Sequence, residues 1–312
     1  INFIDLIIFN VILMIKVNTI VDGKEYVEPF SKGIMAKSLN VPYIGSKMAY
    51  ELASEIEEEL IRNNVSMVSR DELSNMVLDH LTSVDPKIAE KYKNLSIIRN
   101  SKKPLIILIG GASGVGTSSM ALELANRLRL KNIISTDMIR EVMRKCVSKE
   151  LSPIIHKSSY NAYETIESHS IDDDLITGGF IAHVNAVKVG IEAIIERSIK
   201  EGISTIIEGV HIVPGFINKE LMDNNNIVML ILTVEDEELH KQHFYSRCSQ
   251  PWVKRSIETY MDNFDSIRTT QDFLVEQAKI HDSYIIDNVE INETIDFMVN
   301  DILEFVGVND VK

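Results

Sequence analysis

From residue 105 onward, short apolar runs alternate with longer amphipathic stretches. Residues 105–109 (LIILI), 132–135 (NIIS), 204–207 (STII), 227–233 (IVMLILT) and 284–286 (YII) read as strands. The first and fourth are apolar at nearly every position, the pattern of a strand buried on both faces rather than one. Between them, residues 118–130, a stretch from about Met138, residues 179–200, a stretch from about Glu235, residues 256–281 and residues 292–306 read as helices. Strand–helix alternation over this length predicts a parallel sheet covered by helices on both faces.

The preceding region has a different rhythm. Residues 17–21 are β-branched and strand-like, Asp22-Gly23 is a turn signal, and residues 25–28 can return as a hairpin. Residues 46–63 carry Met48, Leu52, Ile56 and Leu60 four apart, one helical face. Ser69 followed by Glu72 is a capping box opening a helix through Val77 and Leu81. The polar run 99–104, ending in Pro104, is a linker signal and divides the chain into domains at 14–100 and 101–312. The first residues, 1–14, are apolar but contain Asp5. They fall short of the roughly 20 residues a membrane helix needs and lack the basic flank of a signal peptide. The expectation is that translation starts at Met14 and residues 1–13 are an upstream extension; the competing reading is a short membrane-associating helix.

Composition narrows the class. The 312 residues are 45% hydrophobic and 25% charged, ordinary globular values that argue against disorder. Forty-six acidic against 32 basic residues give a net charge of −14, which disfavours broad nucleic-acid binding and leaves room for a small anion pocket. Two cysteines, Cys146 and Cys248, make neither a disulfide framework nor a metal site and fit reduced thiols of a cytoplasmic protein.

The chemistry gathers around a glycine-rich loop. Gly111-Ala112-Ser113-Gly114-Val115-Gly116-Thr117-Ser118 lies between the strand at 105–109 and an amphipathic helix, where backbone amides and a helix N-terminus hold phosphates. It fits G-x-x-x-x-G-K-[ST] except that Thr117 replaces the lysine that reaches the β/γ-phosphates. Positive charge must then come from elsewhere: Arg140, Arg144, Arg247, Lys254 and Arg255 are candidates. Ser118 is the natural magnesium hydroxyl. Asp137 and Glu208 lie at strand C-termini, where ligands of open α/β sheets bind, and are candidates for magnesium or acceptor chemistry; Asp137 could equally cap the next helix. His211 stands open between substrate contact and a structural role. The cationic segment 244–255 reads as a lid closing over phosphates, with a solvated basic turn as the bland alternative.

Residues 106–119, 136–144, 208–215 and 260–288 together resemble the 2-phosphoglycerate kinases of methanogenic archaea, over about residues 14–290. The resemblance implies a P-loop kinase domain and ATP-dependent phosphorylation of 2-phosphoglycerate to 2,3-diphosphoglycerate, feeding the cyclic diphosphoglycerate of those organisms. Asp22-Gly23, residues 28–34 and the helices to Tyr92 resemble an ATP-cone, with Lys32 and Lys37 at its basic positions; a helical docking domain without ligand is the alternative. The expectation is therefore an ATP- and magnesium-dependent kinase. Loop 111–118 binds the donor, and Ser118 with Asp137 or Glu208 holds the metal. Asp137 or Glu208 orients the C3 hydroxyl, while Arg140, Arg144, Arg247, His211 and Arg255 act on the acceptor and transition state. Two other readings remain: a nucleotide sensor with a non-catalytic loop, and a kinase for another small metabolite. Oligomeric state is not legible. Nucleic acid and membrane are not expected partners.

Overall fold

The computed structural model describes residues 15–21, 23–39, 44–99, 103–166, 173–249 and 256–310. The chain divides into two compact units between Ser96 and Ile97.

In the first unit, β1 (Lys16–Val21) and β2 (Lys24–Pro29) form an antiparallel hairpin in which Val21 faces Lys24. Gly23 has φ +73°, a conformation glycine adopts without a Cβ penalty. Helices α1 (Lys32–Leu39), α2 (Ser46–Arg62), α3 (Arg70–Val84) and α4 (Pro86–Arg99) follow. Leu52, Ile56 and Leu60 are buried as their spacing requires, with Val77 and Leu81 from α3 in the same core. The capping box of α3 forms: Ser69 Oγ accepts from Glu72 N (3.1 Å), and Glu72 accepts from Ser69 N (2.7 Å). These bonds hold the Glu72 carboxyl below its usual range. The sequence reading misses β3 (Met67–Ser69), which pairs in parallel with β1; three residues are too few to show a period.

The second unit contains β4 (Ile106–Gly110), α5 (Thr117–Leu128), β5 (Asn132–Ser135), α6 (Thr136–Cys146), α7 (Asp173–Glu201), β6 (Thr205–Glu208), α8 (Lys219–Met222), β7 (Ile227–Thr233), α9 (Glu237–Cys248), α10 (Ile257–Met261), α11 (Phe264–Ile280), β8 (Tyr284–Asp287) and α12 (Ile291–Asp310). The five strands form one parallel sheet in the order β5-β6-β4-β7-β8. β4, β6 and β7 are buried at every position, which accounts for the apolar runs of β4 and β7. Arg127 of α5 is buried and pairs with Asp296 of α12 at 2.7 Å, tying two helices together.

Two boundaries depart from the sequence reading. α7 begins at Asp173 and runs through Gly178-Gly179; a side chain at 179 would strike the Tyr163 backbone, so tight packing here uses a glycine inside the helix. α7 is long and apolar enough to cross a membrane by length and composition, but Phe180, Val184, Val187, Ile191 and Ile195 form a stripe buried within the unit. The expected helix at 256–281 is two helices; Asn263 (φ −114°, ψ 15°) breaks it so that Tyr260 and Phe264 both turn inward. Short 3₁₀ turns at Ile154–His156 and Ser159–Thr165 also lack a sequence signature.

Candidate active site

The loop 111–116 leaves β4 at the C-terminal edge of the sheet. Gly114 and Gly116 take φ of +89° and +94°, left-handed values that let the chain curl back before α5. A Cβ at Gly114 would enter the Phe244 ring, and one at Gly116 would lie 2.6 Å from Asn288 Nδ2. Met120 N donates to Gly116 O, so α5 starts at the loop's end and the amides of its first turn have no partner inside the helix.

The carbonyls of the loop are held from behind. His240 Nε2 donates to Ser113 O (2.8 Å), His243 Nδ1 to Gly114 O (3.1 Å), and Asn288 Nδ2 to Val115 O (2.8 Å). Arg268 donates to His240 Nδ1 (3.3 Å) and to the Val234 and Glu235 carbonyls. Burial first, and the Arg268 charge in addition, push His240 down to about 4, so its ring is neutral. These residues escape sequence reading. His240 and His243 share a helix face, but nothing in their spacing indicates a loop more than 120 residues earlier.

Register places Glu208 beside the strand that leads into this loop. Glu208, the last residue of β6, stands opposite Ile109 of β4 on one side and Ser135 of β5 on the other. It is buried and accepts from the Thr117 hydroxyl at 2.7 Å. The residue at the lysine position thus carries no charge and is tethered to a carboxylate. Asp137 lies in the first turn of α6, exposed; Ser135 caps that helix through the Asp137 amide (3.3 Å), so capping is not the role of the Asp137 side chain.

Arg140, one turn on, is buried. It donates to Lys157 O and pairs with Asp137 at 3.1 Å, and its Nε is buried without a hydrogen-bond partner. Arg144 is engaged with Glu141 (2.7 Å). His211 is fully buried with both ring nitrogens occupied, Nδ1 by Thr136 Oγ1 (2.8 Å) and Nε2 by His183 Nδ1 (3.2 Å). It therefore presents no free ring nitrogen to a substrate, and its contact toward Asp137 is through the neighbouring Thr136 hydroxyl. Burial pushes His183 and His211 each down to about 3, so both rings are neutral. Arg247 is exposed in the last turn of α9; Arg255 and Lys254, with most of the expected lid, lie outside the described residues. Ser118 is exposed in the first turn of α5. One hydroxyl plus one or two carboxylates suit magnesium, which takes its other ligands from phosphates and water. Among the described residues no three His, Cys, Asp or Glu side chains gather to hold a metal unaided.

Across the whole chain, a protein from Methanothermobacter thermautotrophicus named 2-phosphoglycerate kinase is 50% identical over 289 residues, 92% of this chain and 94% of that one. The chain belongs to the 2-phosphoglycerate kinase family. Other members are 44% identical in Methanopyrus kandleri (90% of this chain, 85% of that one) and 39% identical in Pyrococcus furiosus (91% and 92%). A family model described as the ATP cone domain matches residues 18–101, the region of the first unit. Solved structures overlay loosely on this family member: a shikimate kinase from Bacteroides thetaiotaomicron is 15% identical with a TM-score of 0.38, over 65% of this chain and 98% of that one, too loose to inform the chemistry.

Proposed function

We propose that the chain transfers the γ-phosphoryl group of ATP to the C3 hydroxyl of 2-phosphoglycerate, giving 2,3-diphosphoglycerate and ADP. The observation that carries this reading is the sheet register that sets Glu208 between the phosphate loop and the strand leading to Asp137, in a chain half identical to a 2-phosphoglycerate kinase. The acceptor O–P bond forms as the bond from Pγ to the β,γ-bridging oxygen breaks, and the hydroxyl proton passes to a carboxylate or to solvent. Asp137, oriented by Arg140, accepts the C3 hydroxyl; Glu208 orients the first turn of α5 through Thr117. Ser118 with Glu208 or Asp137 would hold magnesium together with the donor phosphates, and the ion would supply positive charge against the phosphates. Arg144, Arg247 and Arg255 meet the acceptor's phosphate and carboxylate, for which the guanidinium fork is suited. The reading places the protein in the cytoplasm and its product upstream of the cyclic diphosphoglycerate.

The test is ADP formation by the purified chain with ATP and magnesium, comparing 2-phosphoglycerate, 3-phosphoglycerate and no acceptor. Turnover that requires 2-phosphoglycerate is expected. ATP binding with no acceptor-dependent turnover would refute the assignment and leave a nucleotide sensor.

A second reading concerns residues 14–100, taken as a nucleotide-binding domain that regulates the kinase domain at 101–312. The ATP cone match favours it. Lys32 lies 3.0 Å from Glu57 and 5.3 Å from the Tyr50 ring centre, a cation already positioned beside an aromatic face. Titration of the chain with a non-hydrolysable ATP analogue should then reveal two classes of site.

A further inference from the structure

We propose that His240, His243 and Asn288 are positioning residues for the phosphate donor, turning the phosphate loop's amides toward the nucleotide; this rests on the kinase reading above. In a planar trans peptide the C=O of one residue and the N–H of the next point in opposite directions. The three side chains take the carbonyls of three consecutive residues, Ser113, Gly114 and Val115. The amides of Gly114, Val115 and Gly116 must therefore face the other way, into the concave side of the loop. Among these, Val115 N makes only a long 3.4 Å contact with Ala112 O. A run of parallel amides is an anion-binding nest.

The arrangement has an internal logic of protonation. A carbonyl accepts only, so His240 must carry its proton on Nε2. Arg268 donates only, so His240 Nδ1 must be bare. Arg268 thus selects the one neutral tautomer that can hold the loop. Phe244, whose ring is stacked on His240 (5.3 Å) and on Tyr260 (4.4 Å), fills the space beneath Gly114 and stops the carbonyls from turning inward. Because Thr117 supplies no ammonium, orientation of the amides carries more of the donor affinity here than in a loop with lysine.

The experiment pairs a loss with an isosteric rescue. A glutamine amide nitrogen stands where His Nε2 stands, and an asparagine one where His Nδ1 stands. His240→Ala, His240→Gln, His243→Leu and His243→Asn are compared with wild type for AMP-PNP–magnesium affinity by calorimetry, for KM of ATP and of 2-phosphoglycerate, and for kcat. His240→Ala should weaken AMP-PNP binding and raise the ATP KM at least tenfold with the acceptor KM within twofold, and His240→Gln should return to within threefold of wild type. His243→Leu should raise the ATP KM at least threefold, and His243→Asn should restore it. Should His240→Ala not fold, the half-exposed His243 pair decides. The proposal is overturned if folded variants bind AMP-PNP within twofold of wild type, or if donor and acceptor KM rise together. Wild type that fails to bind AMP-PNP overturns the kinase reading as well; wild type that binds and turns over beside unaffected variants overturns this inference alone.

Discussion

Acid should destabilise the larger unit before most carboxylates titrate. His183, His211 and His240 are fully buried and neutral, held down to about 3, 3 and 4 chiefly by burial. In the unfolded chain each returns to about 6.5. Below that pH the unfolded chain takes up protons that the folded chain refuses, so stability is intact above about pH 7 and is lost as pH falls through 6.5 toward the folded values. Between pH 7.5 and 5.0 the linkage relation gives about 2 kcal/mol per histidine, or about 6 kcal/mol for the three. Asp301 acts in the opposite sense. Burial raises it to about 6, so acidification stabilises it, by less than about 1 kcal/mol once screening of this half-buried group is counted. The net loss of about 5 kcal/mol compares with a typical total of roughly 5–15 kcal/mol. Scanning calorimetry at pH 7.5, 6.5, 5.5 and 5.0 should show the Tm of the larger unit falling by more than about 10 °C. His240→Gln should recover about a third of that fall. A fall below about 3 °C, or an equal fall in His240→Gln, would refute the assignment of the acid sensitivity to neutral buried histidines.

Three further outcomes follow from the same geometry. Asp137→Asn and Arg247→Ala should each lower kcat by about 10²-fold or more, the usual worth of a positioned acid–base or charge-stabilising group, with Tm within a few degrees because both are exposed; near wild-type turnover in steady-state assays would remove them from the site. Gly114→Ala should abolish AMP-PNP binding, since φ +89° and the Phe244 ring both exclude a side chain; retained binding by calorimetry would count against the loop as donor site. Arg127→Ala should cost about 2–3 kcal/mol in denaturant unfolding, because it empties a buried volume, while the half-exposed Asp296 is left to water, whereas a cost under about 1 kcal/mol would mean the site closes over the gap.

Much of the architecture is local and therefore legible. The runs IILIG and IVMLILT are apolar because their strands, β4 and β7, lie inside the sheet, whereas the edge strand β5 carries its apolar pair Ile133-Ile134 less deeply buried. The α3 cap and the glycine loop are equally short-range: each is set by residues within three to six positions, so spacing alone reveals it. What spacing could not reveal is which distant groups meet. Thr117 and Glu208 are 91 positions apart and bond only because β4 and β6 are neighbours in register. His211 reads as a possible substrate contact until Thr136 and His183 are seen to occupy both its nitrogens. The division of 256–281 into two helices, the glycine pair inside α7 and the three-residue strand β3 were likewise decided by what packs against them. Hydrophobic period and turn chemistry are properties of adjacent residues, and the sequence determines them by itself. Hydrogen-bond partners, burial and protonation depend on the surfaces that folding brings together, and only the tertiary structure could decide those.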